Sequence, residues 1–506
     1  MMNDVSRQLR LLLAVGLAFV LFSIESNGME VGFAERDITP KIGMERPGGY
    51  GKVFHQKLHD ACKVRAAVFG DGTSRVALVG LDTLFIRSPV VQAARRKIAE
   101  RCGIPGESVM LGASHSHSAG PVGMILPGEY DHASSLVQEL AYQKSSMADA
   151  VFLTQVEEAI VDAVCEADQN RQVTQCGIGR GLAEGIVFNR RFLMRSGLTQ
   201  THPRQGNPEM VSPAGPIDPE VGVIGAWDTS GKLTGCVVNF ACHCTTSPGG
   251  ISADYVYYIE QAIRGMFGEH VVVVFLNGAS GDVTQQDNLS PYKLPAGEQS
   301  SRLVGGTIGA EAIKILVRME PGELTPVASK QKILKIARRV PRAERVEECL
   351  EIVRADASSV EATQWTFAKE LVLLDARIKR EPIADVEVQA IQIGPAVFLA
   401  NPAEYFCQFG LDMKARSAFQ YTFPVSLAND CIGYVPTAEA LGPHGGGYET
   451  RLTSYSNLIP EAGQQIADTC IELSRQLRPG ISPVPPPALE YAGQQWTYGN
   501  VPPELD

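Results

Sequence analysis

The chain has 506 residues, of which 44% are hydrophobic and 20% are charged, so it can bury a large core. At about 150 residues per domain, this length allows about three domains as a first expectation. The net charge of −11 argues against nucleic acid as a partner, because contacts with phosphates need a basic face. An acidic surface remains compatible with an amphipathic or lipid substrate.

The first 28 residues have the pattern of a secretory signal peptide (1–28) rather than of a folded segment. Arg7 and Arg10 precede an apolar run at 11–22, and small residues follow it. An apolar run of about 12 residues is too short to span a bilayer, which needs roughly 20. We expect cleavage at Gly28–Met29 and export of the protein. An uncleaved signal that anchors the chain in a membrane is the alternative.

Segments typical of strands alternate with segments typical of helices along most of the chain. Strands are predicted at 75–86, 108–113, 222–227, 233–243 and 270–277. Helices are predicted at 88–102, 148–167, 255–267 and 303–319. This alternation indicates an α/β fold, in which helices flank a mixed or mostly parallel sheet core. Ligands of such sheets bind outside the carboxyl ends of the strands, where we expect the active site.

The last third of the chain is less regular. Residues 343–379 are charged and helical in pattern, which indicates a solvated helical excursion. Residues 386–399 predict a hairpin that turns at Gly394-Pro395. The proline-rich segment 479–506 predicts an extended tail. One domain at 29–478 is therefore expected to carry the function.

The eleven cysteines contain no CxxC motif, and their odd number leaves at least one thiol unpaired. Cys242-His243-Cys244 has the composition of a metal cluster, but alternation along a strand places His243 on the opposite face from both cysteines. We interpret Cys242 and Cys244 as small buried residues, and we expect few disulfides or none.

Two of the nine histidines lie two residues apart, directly after an apolar run. On an extended backbone, residues i and i+2 project to the same side, so His115 and His117 are expected to point into one cleft. Such a pair is a common fragment of zinc sites, but it supplies at most two ligands. Taken alone, the pair is equally compatible with a structural role.

Four further polar clusters follow apolar, strand-like runs, at 239–243, 277–284, 400–404 and 428–434. The carboxyl ends of the strands can bring these clusters together with the histidine pair. His115, His243 and Glu404 would then form a set of two nitrogen ligands and one oxygen ligand. Three protein ligands plus water is the usual arrangement of a catalytic zinc ion.

Each residue of these clusters also has a structural interpretation, which the residues alone leave open. His243 is equally typical of a hydrogen-bonded core histidine, and Glu404 of the start of a helix. Tyr434 is by default a core aromatic residue. Asp282 follows a glycine and is compatible with a role in a turn.

Together, these motifs resemble those of the neutral, or alkaline, non-lysosomal ceramidases. Residues 114–123 (SHSHSAGPVG) resemble the SHTHSGPGG signature of that family, and residues 240–247 (FACHCTTS) resemble its second histidine motif. Residues 281–284 (GDVT) resemble its GDVSPN hexapeptide. Further matches follow in the family's order between about residues 31 and 475, at 31–40, 189–190, 401–404, 429–434 and 447–449.

The resemblance implies an amidohydrolase that cleaves the N-acyl bond of ceramide to a fatty acid and sphingosine with a zinc-activated water. It implies Zn²⁺ as the cofactor, a lipid amide as the substrate and peripheral contact with a membrane surface. The implied zinc ligands are His115, His243, Glu404 and Tyr434. The implied catalytic residues are His117, Arg190, Thr284 and Tyr448. The implied substrate-binding residues are Asn189, Arg190 and Asp282.

The chain also departs from the family's pattern. Thr284 stands where the family has a serine proposed as a nucleophile, and Gln285-Gln286 replaces Pro-Asn. A hydroxyl is retained, so zinc-water chemistry remains feasible, whereas a covalent serine mechanism is not expected. Ala403 replaces the glycine of the family's PGE motif.

The chain resembles a short member that consists of the catalytic domain, without the C-terminal immunoglobulin-like domain of the longer ceramidases. The acyl-chain and head-group preference therefore stays open, as does the oligomeric state. One alternative function is the same metal chemistry on another N-acyl compound. A second alternative is a non-catalytic binding protein on the same fold.

Overall fold

Three mixed β-sheets share an apolar core. The structure is a computed structural model, and it describes residues 28–355, 359–493, 498 and 502–506. The strands of the described chain are β1 (Glu30–Asp37), β2 (Lys63–Gly70), β3 (Arg75–Leu81), β4 (Val109–Ala113), β5 (Gln172–Val173), β6 (Gln175–Leu182), β7 (Phe188–Asn189), β8 (Arg191–Met194), β9 (Thr199–Thr201), β10 (Met210–Pro213), β11 (Glu220–Trp227), β12 (Leu233–Phe240), β13 (Val272–Asn277), β14 (Val283–Thr284), β15 (Val327–Ala337), β16 (Ile383–Ile393), β17 (Ala396–Ala400), β18 (Glu404–Tyr405), β19 (Tyr421–Val425) and β20 (Tyr434–Val435). The helices are α1 (Ser88–Cys102), α2 (Ser135–Tyr142), α3 (Ala150–Gln169), α4 (Tyr255–Phe267), α5 (Glu298–Leu316), α6 (Ala343–Arg354), α7 (Ala362–Arg380), α8 (Cys407–Arg416) and α9 (Ala462–Ser474). The predicted signal peptide lies outside the described residues except for Gly28.

The topology of the three sheets confirms the expected α/β fold with a mixed sheet core. Their strand orders are β4-β3-β2-β1-β5, β13-β12-β11-β6 and β15-β16-β17-β19. Each sheet contains a parallel pair at one edge, formed by β3 with β4, β12 with β13 and β17 with β19. The other neighbours within these sheets are antiparallel, so the sheets are mixed rather than mostly parallel.

The edge strands β4, β13 and β19 lie against one another at their carboxyl ends. After β19, the backbone N–H of Ser426 donates to the carbonyl of Asn277 at 3.0 Å. The N–H of Asn429 donates to the carbonyl of Leu111 in β4 at 2.9 Å. These bonds join the three sheets where their parallel pairs end, so the polar segments that follow the strands face a common region.

Local sequence explains why several predicted elements form where they do. Helix α1 has the predicted bounds: Pro89 lies in its first turn, and Gly103 follows its end in the left-handed conformation, with φ of 69°. Helix α4 also has its predicted bounds. The hairpin of β16 and β17 turns at Gly394-Pro395, as predicted.

The prediction of a solvated helical excursion at 343–379 was wrong for the middle of α7, where residues 368–374 are all buried. Leu371, Val372 and Leu373 pack there against α2 and α6. Lys369 is only 1% exposed, and its Nζ donates to the carbonyl of Tyr50 at 2.6 Å and to Ser145 Oγ at 2.7 Å. Because a buried ammonium must be compensated, Lys369 also pairs with Glu370 at 3.0 Å. The charged residues within and beside this segment hid its burial in the sequence.

The thiols of all eleven cysteines are free in the structure. Cys242 and Cys244 pack in an apolar cluster with α4 and α5, which confirms their interpretation as small buried residues. In the part of the chain that the structure describes, every helix is too short or too polar to cross a bilayer.

Candidate metal centre

The carboxyl ends of the parallel strand pairs bring together side chains from four parts of the chain. His115 follows β4 and His243 follows β12. Glu404 begins β18 and Tyr434 begins β20, and the parallel pairing of these two strands sets Glu404 opposite Tyr434. All four residues are buried.

The backbone at His115 leaves the extended conformation. Its φ is 69°, a left-handed value that costs a residue with a Cβ about 1–3 kcal/mol and is concentrated at functional sites. His115 and His117 nevertheless face each other, with 3.2 Å between their Nε2 atoms. The two imidazoles therefore converge as expected, but a tight turn brings them together rather than strand alternation.

Backbone carbonyls fix the orientation of two of the histidine rings. His115 Nδ1 lies 2.8 Å from the carbonyl of Leu84, and His243 Nδ1 lies 2.7 Å from the carbonyl of Ser280. A carbonyl accepts a hydrogen bond, so each Nδ1 carries the proton and each Nε2 presents a lone pair. This is the arrangement in which a histidine binds a metal through Nε2.

The lone pairs of these histidines point at a carboxylate oxygen. Glu404 Oε2 lies 3.2 Å from His115 Nε2 and 3.0 Å from His243 Nε2. Both His243 Nε2 and Glu404 Oε2 are buried without a hydrogen bond of acceptable geometry in the described structure. Buried acceptors that face one another are costly unless a cation lies between them.

The charge states suit such a cation. Burial, together with the nearby Arg190, lowers the pKa of His243 to about 3, so its ring is neutral at physiological pH. Burial and the neighbouring His115 also lower the pKa of His117 well below its usual value. The group of His115, His117 and His243 can bind a metal ion, since its ring nitrogens lie within 4.8 Å of one another.

Two tyrosines adjoin these histidines, and an arginine lies behind the tyrosines. Arg190 Nη2 donates to the Tyr434 hydroxyl at 3.1 Å, and the Tyr434 and Tyr448 hydroxyls lie 3.2 Å apart. The Arg190 guanidinium also lies 5.3 Å from the centre of the Tyr448 ring and donates to Glu449 at 2.9 Å. Burial raises the pKa of Tyr448 to about 12, so its hydroxyl remains a hydrogen-bond donor.

A cavity of about 280 Å³ opens onto these groups. Its walls combine the polar residues with glycines and apolar side chains: Gly48, Gly49, Tyr50, Leu84, Phe85, His115, His117, Met124, Glu404, Tyr434, Tyr448 and Tyr455. A Cβ on Gly48 would lie 2.2 Å from His117 Nδ1, so the loop reaches the histidine only because this residue is glycine. The cavity thus presents a polar floor beneath a largely apolar wall.

Other residues predicted from sequence lie behind this floor, outside the lining of the cavity. Asp282 Oδ2 accepts from Asn189 Nδ2 at 2.9 Å, and Asp282 Oδ1 accepts from the N–H of Cys407 at 2.8 Å. Thr284 is buried in β14, and its hydroxyl donates to Gln285 Oε1 at 3.4 Å. Arg190 is likewise engaged with protein groups. The catalytic and substrate-binding roles of these residues remain predictions.

Sequence reasoning missed three residues of the site. Tyr455 donates its hydroxyl to Glu404 Oε1 at 2.7 Å, and Tyr50 lines the cavity. Glu449 is fully buried and accepts from Arg190 and from Arg191. Of the three, only Glu449 could have been found from the sequence, because it adjoins Tyr448 in the motif at 447–449 that resembles the ceramidases. Tyr50 and Tyr455 lie in segments without any pattern that indicates chemistry.

The fold is that of the ceramidases. A structure described as a ceramidase complexed with C2 matches 90% of this chain and 77% of its own length, with a TM-score of 0.65 and 18% identity. The crystal structure of neutral ceramidase from Pseudomonas aeruginosa matches 90% of this chain and 76% of its own length, with a TM-score of 0.64 and 19% identity.

The resemblance in sequence points to the same group of proteins. The chain is 24% identical over 329 residues to the neutral ceramidase of Pseudomonas aeruginosa, which confirms the resemblance expected from the motifs. The match covers 62% of this chain and 46% of the relative, so the chain spans less than half of that protein's length. No family model matches the chain.

Proposed function

We propose that the protein is a zinc-dependent amidohydrolase that cleaves the N-acyl amide bond of ceramide-like lipids to a fatty acid and a sphingoid base. The observation that carries this proposal is the pair of buried atoms without hydrogen bonds, His243 Nε2 and Glu404 Oε2. His115 Nε2 faces the same carboxylate oxygen. Two imidazoles and a carboxylate are ligands that zinc prefers, and catalytic sites use three such protein ligands.

His115, His243 and Glu404 would hold the zinc ion, with the hydroxyl of Tyr434 as a fourth ligand. When bound, zinc polarises an amide carbonyl and lowers the pKa of a water molecule to about 7. Burial keeps the imidazole of His243 neutral, so its Nε2 lone pair is available to a cation rather than to a proton.

The remaining polar groups have separate roles in this proposal. Arg190 can only donate, so the Tyr434 oxygen accepts from it, and the Tyr434 hydrogen is free to point to Tyr448. The hydroxyl hydrogen of Tyr448 can then meet the oxygen of the substrate as negative charge develops there. His117, half-buried at the cavity wall, would transfer a proton to the departing amine.

Asn189, Asp282 and Thr284 support this machinery rather than form covalent bonds with the substrate. Asn189 donates to Asp282, and Asp282 accepts from the N–H of Cys407, the first residue of α8, which follows Glu404. Thr284 lies opposite Phe188 in the pair of β14 with β7, and Arg190 follows β7 in the chain. A water nucleophile needs no acyl-enzyme, so the threonine hydroxyl would only position neighbouring groups.

The apolar wall of the cavity supports a lipid amide as substrate, and a lipid substrate would bring the protein to a membrane surface. Export through the predicted signal at 1–28 is part of the same proposal. The cavity volume of about 280 Å³ lies just below the roughly 300–1,000 Å³ that ligand pockets usually have. This limited size favours, as a second candidate, the same chemistry on an N-acyl compound smaller than a long-chain ceramide.

Metal analysis combined with substrate profiling tests the proposal. We expect one zinc ion per purified chain, hydrolysis of N-acyl sphingosines, and loss of activity on chelation with recovery on adding zinc. A graded series of acyl chains and head groups separates the two candidate substrates. A protein that holds no metal and binds these amides without turnover would instead be the non-catalytic alternative.

A further inference from the structure

A second cavity, of about 610 Å³, lies on the far side of Tyr455 and Cys431 from the metal centre. Four arginines line it: Arg87, Arg338, Arg377 and Arg380. They come from the start of α1, the end of β15 and the last turn of α7. Guanidinium groups repel one another, so their convergence on one cavity calls for compensating negative charge.

The carboxylates around the cavity do not fully supply that charge. Four carboxylates line the cavity. One of them, Asp385, forms a surface ion pair with Lys335 at 2.5 Å. Glu129, Glu381 and Asp430 remain, so three carboxylates stand against four guanidinium groups. One arginine is left without a matching carboxylate.

The ion pairs that do form here are loose. Arg87 lies 3.3 Å from Glu129 and 3.6 Å from Asp430, and Arg377 lies 3.9 Å from Glu129 and 3.7 Å from Glu381. In the buried core, by contrast, charged pairs such as Arg65 with Asp82 close to 2.7 Å. The Nε atoms of Arg87 and Arg377 are buried without a hydrogen-bond partner in the described structure. Arg87 and Arg377 therefore each keep an N–H donor that no described protein group accepts.

Arg338 is the arginine without a carboxylate partner. It is 7% exposed and donates to the carbonyl of Glu381 at 2.9 Å and to Asn457 Oδ1 at 2.6 Å. Among the described residues, it forms no ion pair within 4.0 Å. Burial and the nearby Arg377 lower its pKa to about 9, which reflects the cost of this charge in its present surroundings.

We propose that this cavity is a binding site for an anionic oxygen group, a carboxylate or a phosphate, held by Arg338, Arg377, Arg87 and Arg380. Planar guanidinium groups bind both kinds of oxyanion with two parallel hydrogen bonds. The site is separate from the metal centre and does not depend on the proposed hydrolase activity. The anion site nevertheless lies close to the metal centre, because Arg377 donates to the carbonyl of Ser454, the neighbour of Tyr455.

Calorimetric titration of the full-length protein tests the site, with acetate, hexanoate and inorganic phosphate added separately at constant ionic strength set by chloride. We expect saturable binding of at least one of them. Arg338→Gln should weaken that binding at least tenfold. Arg302→Gln, which changes an exposed arginine on α5, should bind as the unchanged protein does.

A second cavity variant and the comparison between the anions make the result interpretable. Arg380→Gln alters a half-exposed residue of the same cavity, so it tests binding even if Arg338→Gln fails to fold. Binding of carboxylates alone identifies a carboxylate site, and binding of phosphate alone identifies a phosphate site. The proposal is overturned if none of the three anions saturates, or if both cavity variants bind as tightly as Arg302→Gln. Neither result bears on zinc content or amide hydrolysis.

Discussion

Tyr455 and Glu404 are joined by a hydrogen bond of 2.7 Å, from the tyrosine hydroxyl to the carboxylate Oε1. The other oxygen, Oε2, lies 3.0 Å from His243 Nε2. Tyr455 therefore holds the carboxylate so that one oxygen faces the histidines. Hydrogen bonds of this kind orient metal ligands, and losing one commonly costs 10–100-fold in metal affinity.

Tyr455→Phe should accordingly weaken zinc binding by about 10–100-fold while the protein still folds. Competition with a chelator of known affinity measures the change. Tyr292→Phe, at an exposed tyrosine, serves as the matched control and should leave affinity unchanged. Equal affinities in the two variants would show that the hydrogen bond to Glu404 does not position a ligand.

His115→Ala and His243→Ala should each abolish metal binding and hydrolysis together, because each removes an Nε2 lone pair that faces Glu404. Elemental analysis and an amide-cleavage assay on the same preparations provide the readout. His132→Ala removes an exposed histidine and should retain both properties. A variant that keeps a full zinc complement would remove its histidine from the ligand set.

Tyr448→Phe should retain zinc but slow turnover by ~10²-fold or more, if its hydroxyl donates to the developing oxyanion. Tyr434→Phe should instead reduce zinc content, since Tyr434 lies opposite Glu404 in the paired strands. Steady-state kinetics and elemental analysis of both variants separate the two roles. Zinc loss in Tyr448→Phe together with normal zinc in Tyr434→Phe would reverse the assignment.

Thr284→Val should leave measurable hydrolysis, because a water nucleophile needs no hydroxyl at this position. Some loss is expected from altered packing, since the residue is buried and valine lacks the hydrogen bond to Gln285. Thr307→Val, on the exposed face of α5, controls for the substitution itself. Mass spectrometry that finds an acyl group on Thr284 during turnover would rule out the water mechanism.

Acid should destabilise the fold through Glu260. Burial raises the pKa of this carboxyl, but Arg65, Lys63 and Arg264 outweigh burial and lower it from 4.5 to about 2. A lowered pKa means that the stabilisation is fully present above pH 4.5 and is lost as the pH falls from there towards 2. The loss is roughly 3 kcal/mol of unfolding free energy.

Urea unfolding between pH 6 and pH 2.5 checks this prediction. In Glu260→Gln the stability should be lower at pH 6 and should fall less steeply as the pH decreases. Glu209→Gln, which changes an exposed carboxylate that forms no ion pair among the described residues, should keep the slope of the unchanged protein. Parallel curves for Glu260→Gln and the unchanged protein would assign the acid sensitivity to other groups.

Much of the architecture follows from local sequence. Helix α1 has the predicted bounds because Pro89 and Gly103 mark its ends through their own backbone preferences. The strands that precede His115 and His243 were found because continuous apolar runs are typical of buried strands. The motifs around these histidines also carried the resemblance to ceramidases, which the shared fold bears out.

Only the tertiary structure decided how these parts meet. The left-handed turn at His115, the hydrogen bond from Tyr455 to Glu404, and the buried Lys369 on a charged helix have no local signature. The same holds for Arg338, which meets three other arginines across a cavity. The reason is physical: periodicity reports which face of an element is buried, whereas the partner of a polar side chain depends on which strand edges come together in the fold.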